Sequence, residues 1–277
     1  MRTPKIFSLT ISSTIAVVLT SIVSLLGFFW PFILPPQSSG IAQHNQWFMW
    51  LALPLALLIL ITQLTSKKLD AKSIALLGVL VAVMAALRPL GAGAIGIEPM
   101  WFILIIAARV FGPGFGLILG ITATFFSAFL TGGFGPWLAY QMFAAGWLGL
   151  LGGLLPKKIK GRAELAMLLA YGIFASFLFG LLMDLQFWPW AIGANTQLSF
   201  SPTASLSTNF AHFIIFHFST SMAWDLPRAI FTSALILLAA PALLTAFRRT
   251  FKRTNFLTPI EFRDLPITSH AMEQRAI

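Results

Sequence analysis

Apolar residues run along this chain in stretches close to the roughly 20 residues that cross a bilayer. They fall at about residues 8–34, 47–65, 72–90, 94–111, 113–131, 136–155, 163–187 and 223–247. The pattern predicts an all-α, polytopic membrane helical bundle with eight crossings. The fourth stretch is the weakest, because only Pro99 to Ala108 is uninterrupted and Arg109 follows. A re-entrant segment is the alternative there.

The placement of charge bears on that choice. With eight spans and the N-terminus inside, the inner loops gather Lys67, Lys68, Lys72, Arg109, Lys157, Lys158, Lys160 and Arg162, and the C-terminal cluster Arg248, Arg249, Lys252 and Arg253 joins them. The outer side keeps only Arg88 and Arg228, both at helix ends. A re-entrant fourth segment would set Lys157 to Arg162 opposite Lys67 to Lys72, against the positive-inside bias. Both termini are therefore expected in the cytoplasm. The run from Ile11 to Ile33 behind Arg2 and Lys5 exceeds a signal-peptide core and lacks a small-residue cleavage site, so it reads as a retained transmembrane helix.

Two polar links, Pro35-Pro36 through Gln46 and Thr65 to Lys72, divide the chain. Residues 1–66 are expected to form two N-terminal transmembrane helices, 67–250 a six-helix core, and 251–277 a poorly ordered cytoplasmic tail.

Composition narrows the function classes. Hydrophobic residues make up 58% and charged residues 9%, against about a quarter charged in an ordinary soluble domain. The net charge of +10 sits mostly in short clusters between apolar segments, where it orients the protein in the bilayer, so no nucleic-acid partner is expected. There are no cysteines, which excludes disulfides, thiolate metal sites and cysteine nucleophiles. Walker A, His-Glu-x-x-His and Gly-x-Ser-x-Gly patterns are all missing. Any nucleotide hydrolysis must occur in another chain.

Ionisable groups near the bilayer are costly and are functional candidates by default. Glu98, Asp184 and Asp225 fall on the predicted outer half. Asp225 and Arg228 lie three apart, within one helical turn, and either anchor the helix end as a structural ion pair or meet a ligand. Arg88 and Glu98 flank a glycine-rich link, Gly91 to Gly96, which is either a tight turn or a close approach of backbone to ligand. Asp184 precedes Trp188 by about a turn, with Gln186, Trp190, Asn209, His212, His217 and Trp224 on the same side. These aromatics form a pocket wall or an interfacial belt. The candidate substrate-binding set is Arg88, Glu98, Asp184, Trp188, Asn209, Trp224, Asp225 and Arg228. His212 and His217, five apart without a completing carboxylate at ligand spacing, do not predict a metal site, and no cofactor is expected. The stretch from Trp188 to Trp224 reads either as a lid or as a surface loop with one interfacial helix. Small residues at Ala71, Ala75, Gly78, Ala82 and Ala86 give a smooth helix face, either for the approach of another protein's helix or for packing within the core.

Arg109 to Gly116 (RVFGPGFG), Leu130 to Trp137 (LTGGFGPW) with Gln141-Met142, Gly180 to Asp184 (GLLMD) and Trp224 to Arg228 (WDLPR) resemble the S component of energy-coupling factor (ECF) transporters, nearest the larger actinobacterial type. The resemblance covers roughly residues 72–250. It implies a six-helix substrate-binding core in a bacterial cell membrane, with an outward pocket for a vitamin, cobalamin first and riboflavin next. It also implies docking onto a membrane T component with two ATP-binding subunits, through an Ala-x-x-x-Ala face that Ala71/Ala75 or Ala82/Ala86 matches. The two extra N-terminal helices depart from the family pattern. An intramembrane enzyme using Asp184 or Asp225 with His212 or His217, and a membrane assembly protein, are the alternatives.

Overall fold

The computed structural model describes residues 11–33, 54–56, 58–59, 62, 71–91, 96–191 and 196–253, the side chains of Trp190 and Arg253 excepted. Most of the second apolar stretch, Lys67, Lys68, the Ala92 to Ile95 part of the glycine-rich link, Asn195 and the tail after Arg253 lie outside the described residues. Among those described, every regular element is helical: α1 (Ile11–Phe28), α2 (Trp30–Ile33), α3 (Ala71–Leu87) with a 3-10 turn Arg88–Gly91, α4 (Met100–Phe111), α5 (Pro113–Thr131), α6 (Trp137–Leu154), α7 (Gly161–Ala191), α8 (Leu206–Thr220) and α9 (Met222–Arg253). Five segments are long and apolar enough to cross a membrane: Ile11–Phe28, Ala71–Gly91, Pro113–Thr131, Gly161–Pro189 and Met222–Lys252. The chain is a helical, multi-pass membrane protein. Helix α9 passes the residue-250 boundary expected from sequence and continues to Arg253.

Helix α4 has 12 residues, a rise of roughly 18 Å, yet nearly all of its side chains are buried. Its two ends lie at opposite ends of the bundle. Glu98, just before it, meets Arg228 at 2.7 Å, while Arg109 in its last turn meets Glu164, which also binds Arg248 at 2.6 Å. Arg228 and Arg248 are twenty residues apart on α9, which places them roughly 30 Å apart, the thickness of a hydrocarbon core. Helix α4 therefore runs from one end of the bundle towards the other.

Sequence explains how α4 turns into α5 with one residue between them. Gly112 adopts φ 102°, its N–H still bonded to the Ala108 carbonyl, and Pro113 opens α5 at a position where a missing N–H costs nothing. The next helix pair, α5 and α6, touches backbone to backbone. A Cβ on Gly116 would meet the Gly149 carbonyl oxygen at 2.2 Å, and one on Gly153 would meet Pro113 Cα at 2.4 Å. Glycine at these positions permits a helix separation that larger residues forbid. Helix α7 runs antiparallel to α9, pairing Glu164 with Arg248 at one end and Gly180 with Asp225 towards the other.

The two ends differ in chemistry. At one, Arg109 is only 3% exposed. It donates from Nε to Glu164, from Nη1 to the Leu155 carbonyl and from Nη2 to the Ile159 carbonyl, while Lys157 donates to the Arg109 carbonyl. Arg109 is thus a buried pin tying α4 to the α6–α7 connection, beyond its expected part in orienting the chain. At the other end lie Arg88, Glu98, Arg228, Asp225, Asp184 and His217.

Candidate functional site

Asp225 is 0% exposed, and a carboxylate there needs full compensation. Ser221, one turn earlier, donates to its Oδ2 at 2.8 Å, and Arg228 donates from Nη1 to Oδ1 at 2.6 Å. Gly180 on α7 makes the space: a Cβ there would lie 2.0 Å from both carboxylate oxygens. Arg228 continues the network, donating from Nε to Glu98 Oε2 at 2.7 Å and from Nη1 to the Ser176 carbonyl at 3.3 Å, with its guanidinium 5.1 Å from the centre of the Phe179 ring. Trp101 donates from Nε1 to the same Glu98 oxygen at 2.8 Å and packs on Phe179 at 4.5 Å. One arginine therefore joins α9, α7 and the entry to α4. Burial alone would raise the Glu98 carboxyl, but the Arg228 charge, the hydrogen bonds from Trp101 and Arg228, and the Arg88 charge outweigh it and hold the group below the usual carboxylate range.

The glycine-rich link enters this site through Gly96, whose φ is 70° and whose position leaves no room for a side chain: a Cβ would meet the Trp224 carbonyl oxygen at 2.4 Å. The Asp225–Arg228 pair expected from the i, i+3 spacing is present, and it brings in Glu98, 130 residues away. These three of the eight sequence candidates form one constellation.

Asp184 lies one turn beyond Gly180 on α7 and takes a different partner. His217 Nδ1 sits 2.7 Å from Asp184 Oδ2, with the two side chains 10% and 15% exposed. Phe213 stacks on the His217 ring at 6.0 Å. This carboxylate–imidazole pair joins α7 to α8.

Trp188 and Asn209 hold segment 196–205 in place. Trp188 is fully buried against Phe32, Phe200 and Phe213, and its Nε1 donates to the Leu198 carbonyl at 2.6 Å. Asn209 accepts from the Ser201 N–H at 3.0 Å and donates to the Ser201 carbonyl at 2.8 Å. His212 Nδ1 lies 2.9 Å from the Ser199 carbonyl. Segment 196–205 is thereby tied down at three backbone positions, and Ser205 caps α8 by accepting from the Thr208 N–H. Trp224 does not join this group: its side chain is 50% exposed on the outside of α9.

Arg88 stands apart from the Arg228 network and points to α5 and α6. It donates from Nη1 to Ser127 Oγ at 2.7 Å and to the Thr124 carbonyl at 3.4 Å, and from Nη2 to Gln141 Oε1 at 2.7 Å. The small residues of α3 face outward. Ala71, Ala75, Gly78, Ala82 and Ala86 are all exposed, whereas Ser73, Leu77, Leu80, Val81, Met84 and Ala85 face the bundle.

Models of known protein families, curated proteins and solved structures give no match to this chain. The site is therefore defined by its own geometry. Beyond the eight candidates it contains His217, already named from sequence as an acid–base alternative, and Trp101, Ser176, Phe179, Gly180 and Ser221. Two of them carried a local signal: Trp101 is three residues after Glu98 and Ser221 four before Asp225, spacings that meet across one helical turn. Gly180, Ser176 and Phe179 carried none, because only the packing of α7 on α9 brings them to the carboxylate.

Proposed function

We propose that this chain is the substrate-capturing subunit of an ECF-type ABC importer. In this reading the Glu98–Arg228 end faces outward, both termini are cytoplasmic, and residues 67–250 form the six-helix core, with two further helices before it. The substrate is a vitamin or similar micronutrient, cobalamin first and riboflavin or another flat-ring vitamin next. A T component and two ATP-binding subunits supply the energy, since the chain has no nucleotide-hydrolysing motif of its own.

The observation that carries the reading is the concentration of buried ionic and polar groups at one end of an apolar bundle, Glu98, Asp225 and Arg228 in one network and Asp184 with His217 in a second. Polar groups converging among aromatic walls suit a small-molecule site. The outward small-residue face of α3 supports docking of another membrane helix through Ala71/Ala75 or Ala82/Ala86. The first test is absorbance and mass spectrometry of whatever co-purifies with the protein in detergent, followed by thermal-shift titration with a vitamin panel. A corrinoid or flavin that binds less tightly to Asp184→Asn is the expected result. An empty protein that ignores every vitamin overturns the reading.

One observation favours a second reading. The Asp184–His217 pair at 2.7 Å is the arrangement of a histidine general base oriented by a carboxylate, which suits an intramembrane enzyme acting on a lipid-like substrate. That reading requires a new product when the protein is incubated with lipid extract, and loss of that product in His217→Ala.

A further inference from the structure

Four arginines are fixed by side-chain contacts in the described bundle, and three of them have a carboxylate: Arg109 and Arg248 share Glu164, and Arg228 holds Glu98 and Asp225. Arg88 is the exception. Its acceptors, Ser127 Oγ, the Thr124 carbonyl and Gln141 Oε1, are all neutral, and among the described residues no carboxylate lies within 4 Å of it. Glu98 is near enough for its charge to be felt, but its Oε2 already accepts from Arg228 and Trp101.

The guanidinium is also incompletely used. Arginine offers five N–H donors. Here Nη1 makes two bonds, Nη2 makes one with its two hydrogens, and Nε has no acceptor among the described residues. Nε and Nη2 form the side-on fork that grips carboxylate and phosphate oxygens in pairs. The Nη1 side of the guanidinium is dry: Ser127 is 0% exposed and Thr124 2%. The Thr124 hydroxyl is buried with no partner among the described residues. Arg88 itself is half-buried. A cation fixed by neutral groups, with its bidentate edge unfilled, has the electrostatics of a site that awaits an anion.

We infer that Arg88, oriented by Ser127 and Gln141, is a subsite for an oxyanion, a carboxylate or phosphate carried by the captured small molecule or by a lipid headgroup. The first source deepens the importer reading and rests on it, giving the substrate a negative charge. The second places an anionic lipid between α3, α5 and α6.

The test uses the full chain in nanodiscs of phosphatidylcholine alone, at fixed ionic strength, with thermal unfolding followed by tryptophan emission. Probes are acetate and inorganic phosphate, and two matched pairs, pantothenate against pantothenol and nicotinate against nicotinamide. A parallel set of nanodiscs replaces part of the phosphatidylcholine with phosphatidylglycerol. The proposal expects stabilisation by an anionic probe, or by phosphatidylglycerol, that weakens at least tenfold in Arg88→Gln. Gln141→Glu supplies Arg88 with a built-in carboxylate and should abolish the anion response while melting no lower than the wild type, which separates loss of the subsite from loss of fold. A response to soluble anions identifies a substrate group, and a response to phosphatidylglycerol alone identifies a lipid. Absence of any anion response in the wild type, or an equal response in both variants, overturns the subsite. A vitamin from the importer test that binds Arg88→Gln as tightly as wild type overturns the subsite for substrate and leaves the importer reading standing. An Arg88-dependent anion response in a protein that binds no vitamin does the reverse.

Discussion

Gly180→Ala tests the central constellation with a single methyl group. The added Cβ would stand 2.0 Å from both oxygens of Asp225, whereas real Cβ contacts essentially never fall under 3.0 Å. Asp225 is fully buried between α7 and α9 and cannot retreat into solvent. Moving its carboxylate breaks the bonds from Arg228 at 2.6 Å and Ser221 at 2.8 Å. Each hydrogen bond to a charged group contributes about 1.5–3 kcal/mol, so the gross loss is about 4 kcal/mol. The better helix propensity of alanine offsets about 1 kcal/mol. The net expectation, about 3 kcal/mol, lowers the folding equilibrium constant roughly 150-fold at 1.4 kcal/mol per factor of ten. Equilibrium unfolding by dodecyl sulfate in mixed micelles, followed by tryptophan emission, measures it. Gly172→Ala is the matched control on the same helix: its Cβ would meet the flexible end of Ile236 at 2.8 Å and Thr232 Cγ2 at 3.4 Å. That change should stay within about 1 kcal/mol of wild type. Combining Gly180→Ala with Asp225→Ala should shrink the glycine effect, because the clashing atoms are gone. Equal costs for Gly180→Ala and Gly172→Ala would refute the claim that the buried carboxylate sets the requirement for glycine.

Asn209→Ala frees both backbone groups of Ser201, so protease cleavage within 196–205 should rise while the spans stay intact, as read by limited proteolysis in detergent. Arg109→Gln leaves Glu164 with Arg248 alone and releases the Leu155 and Ile159 carbonyls; a loss of about 2–3 kcal/mol is expected from the same unfolding assay. Tryptophan at Ala75 or Ala82 should leave stability within about 0.5 kcal/mol, because these positions face outward; the importer proposal further expects one of the two to abolish pull-down of a T component. The Glu98 carboxyl, held below its ordinary value, contributes stability that is present above the unfolded pKa of about 4.3 and is lost as pH falls through the lower folded value. Stability measured from pH 7 to 3 should therefore fall less steeply in Glu98→Gln than in wild type.

Hydropathy made the membrane bundle legible, because long apolar runs answer to the bilayer and need no tertiary context. The turn between α4 and α5 was legible for the same kind of reason: Gly112-Pro113 encodes its own geometry. Charge segregation also carried over, with Arg88 and Arg228 at one end and Arg109, Lys157 and Arg248 at the other. The site was legible only where partners share a helical turn, as with Asp225 and Arg228. Glu98 meets Arg228 across 130 residues and Arg109 meets Glu164 across 55, and no local spacing encodes either encounter. Trp188 and Trp224 show the limit from another direction. Both are tryptophans at the same end of the chain's apolar segments, yet one is enclosed by Phe32, Phe200 and Phe213 from three separate parts of the chain and the other faces outward, a difference that only tertiary packing decides.

The glycine seam between α5 and α6 bears on which parts of this protein can vary. At Gly116, Gly120, Gly149 and Gly153 an added carbon would strike backbone atoms of the neighbouring helix or turn at 2.0–2.4 Å, and backbone cannot swing aside as a side chain can. A complete substitution scan should therefore read as a line of absolute intolerance down the middle of the molecule at positions whose only substituent is hydrogen. The bulky, lipid-facing Leu238 at 81% exposure and Ile230 at 62% should accept most apolar replacements. Labels or crosslinkers attached near the two ends of the seam will keep a constant separation, which makes this helix pair the natural reference frame against which any displacement of α3, α8 or the 196–205 segment can be recorded.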